Sequence, residues 1–323
     1  MKISPLLLMA ALCGLVVPAH AAPAETPAGR VAYAPVALQT TDINALLIAD
    51  VEMDGKSGRF LIDSGASSAM VVNQAFADSL GKTGTAGADI HGIAGNSASK
   101  RAMFTGIRVG KTIRMDDQQL NIIMINQSKE MTLGGQLFAL DGLVGSKFLK
   151  SARLVVDFPN GRLLAPVGNA PNSAFAMSRK QAGDLVLRLT EGKASYPFIT
   201  VRLKDKDFVF LIDTGASVNS IEPRIVSELG LKTEPSTVGV TGGGGTKKNL
   251  DRVVLDKPAL SGCVISNLEC FVMPGIAGIA APEGTRFAGI IGTPFLKGYG
   301  ACLDFDAYAL ILPTARKNPP PAP

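Results

Sequence analysis

Histidine is almost missing from the chain: only His20 and His91 occur in 323 residues. A metal site built from several histidines is therefore excluded, and a Ser-His-Asp or Cys-His scheme would have to rest on His91 alone once a leader carrying His20 is removed. There is no tryptophan, tyrosine numbers 4 and cysteine 4. Charged residues make up only 18%, with both signs spread along the chain. The basic clusters Lys100-Arg101, Arg179-Lys180 and Lys247-Lys248 are short and lack interleaved aromatics, so they read as solvated faces and no nucleic-acid partner is expected. After residue 21 no apolar run is long enough to span a bilayer, so no stable membrane insertion is expected.

What the chain does have is 46% hydrophobic residues with 35 Gly and 20 Pro, a globular composition with extra turn formers. At roughly 150 residues per domain this length predicts two domains, each able to bury a core. Residues 1–21 read as an export signal: Lys2 begins it, Leu6 to Val17 form an apolar stretch, and Ala19-His20-Ala21 is a small-residue cleavage pattern. Cleavage would leave three cysteines and 31 basic against 27 acidic residues, in a periplasmic or secreted protein. In such a compartment Cys263 and Cys270, flanking a candidate hairpin, are a possible disulfide, whereas Cys302 in its apolar segment reads as a buried thiol.

An internal repeat organises the rest. Phe60-Leu61-Ile62-Asp63-Ser64-Gly65-Ala66-Ser67 recurs as Phe210-Leu211-Ile212-Asp213-Thr214-Gly215-Ala216-Ser217, seven identities in eight at a spacing of 150. Each copy begins as a β-hairpin, with Ile48 to Met53 alternating ahead of Asp54-Gly55, and Phe198 to Leu203 ahead of Lys204-Asp205. Short helices are predicted over Asn73 to Leu80 and Glu222 to Leu229, the second with Pro223 in its first turn, stopped by Gly81 and Gly230. Further on, Gly142-Leu143-Val144-Gly145 matches Gly289-Ile290-Ile291-Gly292 at a spacing of 147, followed by helical Phe148-Leu149-Lys150 and Phe295-Leu296-Lys297. The predicted organisation is a signal at 1–21, an extension at 22–36, a lobe at 37–166, a linker at 167–183, a second lobe at 184–314 and a Pro-rich tail at 315–323.

An apolar strand delivering an Asp into a Ser/Thr-Gly turn places a carboxylate on a loop at the end of a sheet, and the glycine lets another backbone approach. One such turn alone reads as an ordinary turn with a side-chain cap. Two copies packed about a pseudo-twofold axis would bring Asp63 and Asp213 together, where both cannot ionise cheaply. Two carboxyls sharing a proton hydrolyse peptides without histidine, metal or thiol: one takes a proton from water while the other donates to the carbonyl.

With these motifs the sequence resembles the aspartic proteases of the pepsin and retropepsin superfamily, whose paired signatures are Asp-Ser/Thr-Gly-Ala-Ser and a later apolar-apolar-Gly. The resemblance implies an all-β class with short helices: two homologous retropepsin-like β-barrel lobes related by pseudo-twofold symmetry, the acid-protease fold. It implies Asp63 and Asp213 as the catalytic pair. Ser64, Gly65, Thr214 and Gly215 would support the catalytic loops, with Ser64 and Thr214 bonded across the axis. It further implies an aspartic endopeptidase acting on peptide or protein substrates, without cofactor or metal, as a monomeric fused pseudo-dimer. Glycine-rich segments lie 29 to 32 residues beyond each Asp, at Gly92-Ile93-Ala94-Gly95 and Gly242-Gly243-Gly244-Gly245. They resemble the two flaps of the retroviral enzymes, which makes Gly92, Ile93, Gly95, Gly242 and Gly243 candidate substrate-binding residues, with His91 on the solvent side. The alternative for these glycines is two exposed hairpin turns. Ala66 and Ala216 stand where pepsin-like motifs carry a hydroxyl, and fewer donors to the charged form predict activity at mildly acidic to neutral pH. The alternative function is a non-catalytic peptide-binding or scaffold protein with the same fold.

Overall fold

The computed structural model describes residues 33–41, 45–87, 90–92, 95–123, 132–133, 136–241 and 247–314. The alternating stretch before Asp54-Gly55 becomes a hairpin of strands Leu47–Met53 and Lys56–Asp63. Asp54 and Gly55 take φ of 48° and 76°, the left-handed pair that matches the twist of a two-residue hairpin turn. The second copy repeats this with Pro197–Leu203 and Lys206–Ile212.

In both lobes a later strand threads through the start of the motif. Gly142–Gly145 runs parallel to Phe60–Asp63 and antiparallel to Met70–Val72. Phe287–Ile291 does the same between Val209–Ile212 and Ser220–Ile221. The crowding explains the glycines of this motif. A Cβ on Gly142 would collide with the Phe60 ring and the Val71 carbonyl, and one on Gly145 would lie 2.7 Å from the Ala66 carbonyl oxygen. Each lobe thus carries a ten-stranded sheet among the described residues. The predicted short helices form at Gln74–Ser79, Ser146–Ser151, Pro223–Glu228 and Thr293–Gly298.

A six-stranded sheet ties the lobes together. Its order is Tyr33–Ala37, Arg162–Pro166, Val155–Asp157, Cys302–Asp304, Ala309–Leu312, Leu185–Arg188. Its centre is the antiparallel pairing of Val156 with Leu303, one from each copy, so the pseudo-twofold axis passes there. The strand Tyr33–Ala37 belongs to this sheet, although 22–36 reads as an extension from sequence; pairing with Arg162–Pro166 satisfies its backbone. The predicted linker holds a helix, Ala174–Gln181, whose Ala176 is buried on the same sheet.

The possible Cys263–Cys270 disulfide is not formed: Cys263 and Cys270, like Cys302, are free thiols. The segment between Cys263 and Cys270 is not a hairpin either. Cys263–Val264 pairs with Ala259–Leu260, while Leu268–Val272 pairs with Lys247–Leu255, so the two cysteines serve different strand neighbours. Cys270 points into the core, and burial raises its thiol far above the ordinary value. Cys302 is buried as predicted, with Sγ 3.7 Å from Asp157 Oδ1.

Candidate active site

The sheet face opposite the main core presents the two carboxyls. Phe60 and Ile62, like Phe210 and Ile212, are fully buried in a core shared by both lobes. Strand alternation turns Asp63 and Asp213 the other way. Asp63 ends the strand Lys56–Asp63, and Asp213 follows Lys206–Ile212. Each then enters a tight loop in which the following glycine donates back to it: Gly65 N–H to Asp63 Oδ1 at 2.9 Å, and Gly215 N–H to Asp213 Oδ1 at 2.8 Å.

The loops interlock across the axis. Ser64 Oγ donates to the Ile212 carbonyl at 2.7 Å and accepts the Thr214 N–H at 2.9 Å. Thr214 Oγ1 donates to the Ile62 carbonyl at 2.7 Å and accepts the Ser64 N–H at 2.9 Å. Both residues are fully buried, so four hydrogen bonds shielded from solvent fix one loop against the other. Each carboxyl rests on the opposite glycine: a Cβ on Gly65 would approach Asp213 Cγ to 2.6 Å, and one on Gly215 would approach Asp63 Cγ to 2.6 Å. No side chain larger than hydrogen fits either place.

The loops are also held from beneath. Ser146 donates both N–H and Oγ to the Ala66 carbonyl at 2.9 Å, and Thr293 does the same to the Ala216 carbonyl at 2.9 and 3.1 Å. Gly145 donates to the Ala69 carbonyl at 2.9 Å. Its counterpart Gly292 donates instead to the Asn219 side chain at 2.9 Å.

Burial raises the Asp63 carboxyl well above the usual carboxylate range, and the adjacent charge of Asp213, to which Asp63 is hydrogen-bonded, raises it further. Burial raises Asp213 as well, but the N–H groups of Gly215, Gly65 and Ala216 and the bond from Asp63 pull it back. The two carboxyls are coupled and unequally contacted: the neighbouring charge raises Asp63 further, whereas backbone N–H groups and the bond from Asp63 hold Asp213 down. Among the described residues no group of three or more His, Cys, Asp or Glu is arranged to hold a metal ion.

Of the residues singled out in the sequence, Asp63, Ser64, Gly65, Asp213, Thr214 and Gly215 converge on one spot. Gly92 and Gly95 face each other across a two-stranded ribbon, Ile90–Gly92 with Ser97–Gly95, in which His91 is opposite Asn96. Ile93, Gly242 and Gly243 lie outside the described residues; the strands Thr233–Thr241 and Lys247–Leu255 that lead to the latter two form a long hairpin. Sequence reasoning missed Ser146 and Thr293, whose signal was their shared place directly after the matched glycines. It also missed Tyr196, whose side chain hydrogen-bonds to Ser67.

No curated protein matches the chain. The family model described as aspartyl protease matches it over residues 49–137 and again over 199–295, one match in each lobe. Those two stretches, each carrying one of the interlocked carboxyl loops, place the chain in the aspartyl protease family.

Proposed function

We propose that this chain is an exported aspartic endopeptidase that works as a monomer, hydrolysing peptide bonds through a water held between Asp63 and Asp213. The observation that carries the reading is the interlocked pair itself: two carboxyls from distant parts of one chain, each pressed on the other's glycine, with unequal donor sets. Asp213, the charged member, takes a proton from the water as its oxygen bonds to the peptide carbonyl carbon. Asp63 gives its proton to the carbonyl oxygen, producing a neutral gem-diol. Collapse of the diol breaks the C–N bond; the departing nitrogen receives the proton held on Asp213, and a diol hydroxyl returns one to Asp63. Charge never accumulates on the intermediate, which removes any need for a metal or an oxyanion pocket. The substrate is an extended peptide, since the family's clefts take strands whose main chain is hydrogen-bonded and whose alternate side chains are read.

The test is a pair of single substitutions. Asp63→Asn and Asp213→Asn should each lower kcat on a cleavable peptide by at least about a thousandfold while leaving circular dichroism unchanged. Mixing the two variants should restore nothing, because each monomer needs both acids. Near-normal turnover by either variant would sink the shared-proton scheme, and recovery on mixing would show that lobes pair between chains. Export is checked separately by N-terminal sequencing of the processed protein, expected to begin at Ala22.

A further inference from the structure

The two sides of the carboxyl pair are unequal. Strand alternation puts Leu61 on the Asp63 face and Leu211 on the Asp213 face. Leu61 is paired with Ile48 and Leu143, and Leu211 with Phe198 and Ile290, so an apolar cluster flanks each carboxyl. Two residues before Ile48 and Phe198 stand Leu46 in one lobe and Tyr196 in the other, each 17 positions before its aspartate. Both are partly buried and pack on their own cluster.

Tyr196 is held in place by more than packing. Its ring meets Phe198 edge-on, with centroids 6.3 Å apart, and Phe198 meets Phe287 in the same way at 6.3 Å. Its carbonyl accepts the Gly192 N–H at 2.9 Å, and the preceding carbonyl, of Ser195, accepts the Tyr308 hydroxyl at 2.7 Å. Its hydroxyl is hydrogen-bonded to the side chain of Ser67, the last residue of the other lobe's octapeptide, and lies within the electrostatic reach of both Asp63 and Asp213. Ser217 occupies the corresponding place in the second octapeptide, but the residue related to Tyr196 is Leu46, which has no polar atom to offer it. The bridge thus exists on one side of the axis.

We propose that Tyr196 is a positioning and specificity-determining residue of the peptide cleft. Its partly exposed ring, backed by the buried rings of Phe198 and Phe287, gives the C-terminal-lobe side of the cleft an aromatic surface that selects an aromatic side chain on one side of the scissile bond. On the other side Leu46 stands in the place of Tyr196, and Phe138 of its cluster is buried beneath the surface. The Tyr196 hydroxyl, by holding Ser67, positions the Asp63 loop without touching the reacting atoms. A tyrosine that merely filled core space would influence stability and leave selectivity alone.

The inference rests on the peptidase reading, and one experiment separates the two. Cleavage-site profiling on a mixed peptide library is run on the wild type, Tyr196→Leu, Tyr196→Phe and Leu46→Tyr, with kcat and KM measured on the best peptide. Tyr196→Leu should lower the aromatic enrichment on one side of the scissile bond about five- to tenfold and leave the other side unchanged. Tyr196→Phe should keep the enrichment and lower kcat several-fold with KM within about twofold. Leu46→Tyr should extend aromatic acceptance to both sides, a gain that no folding defect produces. Wild-type cleavage with profiles unchanged in both Tyr196→Leu and Leu46→Tyr overturns the inference alone; an unchanged kcat in Tyr196→Phe overturns the positioning role of the hydroxyl. A folded wild type that cleaves no peptide overturns the peptidase reading and this inference together.

Discussion

Thr214 differs from valine by one oxygen, and in this protein that oxygen serves two backbone groups of the opposite loop. Its loss in Thr214→Val would leave the Ser64 N–H and the Ile62 carbonyl buried without that partner. At roughly 1–3 kcal/mol for each of the two stranded groups, the expected destabilisation is about 2–6 kcal/mol, read as a lowered urea midpoint, with Thr214→Ser close to wild type. Equal midpoints for Thr214→Val and wild type would show that the interlock does not hold the lobes. The residues of this layer were legible in the sequence because each is the same small motif written twice. Tyr196 was not, since nothing local marks a tyrosine at the start of a strand: its partner Ser67 is far away in the chain and meets it only after both lobes have formed.

Asp157 and Asp304 occupy equivalent places in the strands that pair across the axis, but their partners differ. Asp157 faces Arg162 across its hairpin and receives the Arg162 Nε at 2.8 Å and the Asn160 amide at 2.9 Å. Opposite Asp304 the residue is Ala309, so no cation faces it across its hairpin. Its Oδ1 accepts the Asp306 and Ala307 N–H groups at 2.8 and 2.9 Å, and burial pushes its carboxyl up to about 6. The sign follows from proton binding: between the ordinary value near 3.8 and about 6 the folded chain holds a proton that the unfolded chain has released. Stability therefore falls as pH rises through that window and stays lower above it, by about 3 kcal/mol for a gap of this size. Asp304→Asn, which keeps an acceptor for the two N–H groups, should raise Tm at pH 7.5 and change it little at pH 4. A Tm gain of the same size at both pH values would remove titration as the cause. Hairpins and short helices could be read from alternation and from glycine and proline stops, but the order of this sheet could not. Three of its five pairings, Tyr33–Ala37 with Arg162–Pro166, Val155–Asp157 with Cys302–Asp304 and Leu185–Arg188 with Ala309–Leu312, join segments more than a hundred residues apart, and these, like the seating of the helix Ala174–Gln181, are chosen by burial of the assembled faces rather than by local propensity.

At the scale of the whole molecule, the central sheet and the interlocked loops give the two lobes one relative position, and that position sets the acidity of the site. Because one core runs through both lobes, the carboxyls meet in a setting that disfavours charge. In the proposed mechanism the working form has one proton on the pair, so activity should rise as the pair loses its first proton and fall as it loses the second. Burial raises both members, and Asp63 is raised further by the charge beside it, which moves the falling limb to higher pH. Ala66 and Ala216 contribute backbone N–H groups to the carboxyls but no hydroxyl, so nothing in their side chains offsets the burial. The expected kcat/KM profile on a neutral peptide is bell-shaped with its maximum between mildly acidic and neutral pH. Asp304, whose own titration falls near 6, lies in the central sheet away from the pair, and in the Asp304→Asn protein the profile should keep its shape while thermal stability changes. A maximum near pH 2 would mean that the pair is far better solvated than its burial indicates. A profile that moves with Asp304→Asn would mean that the falling limb reports the central sheet and not the carboxyls.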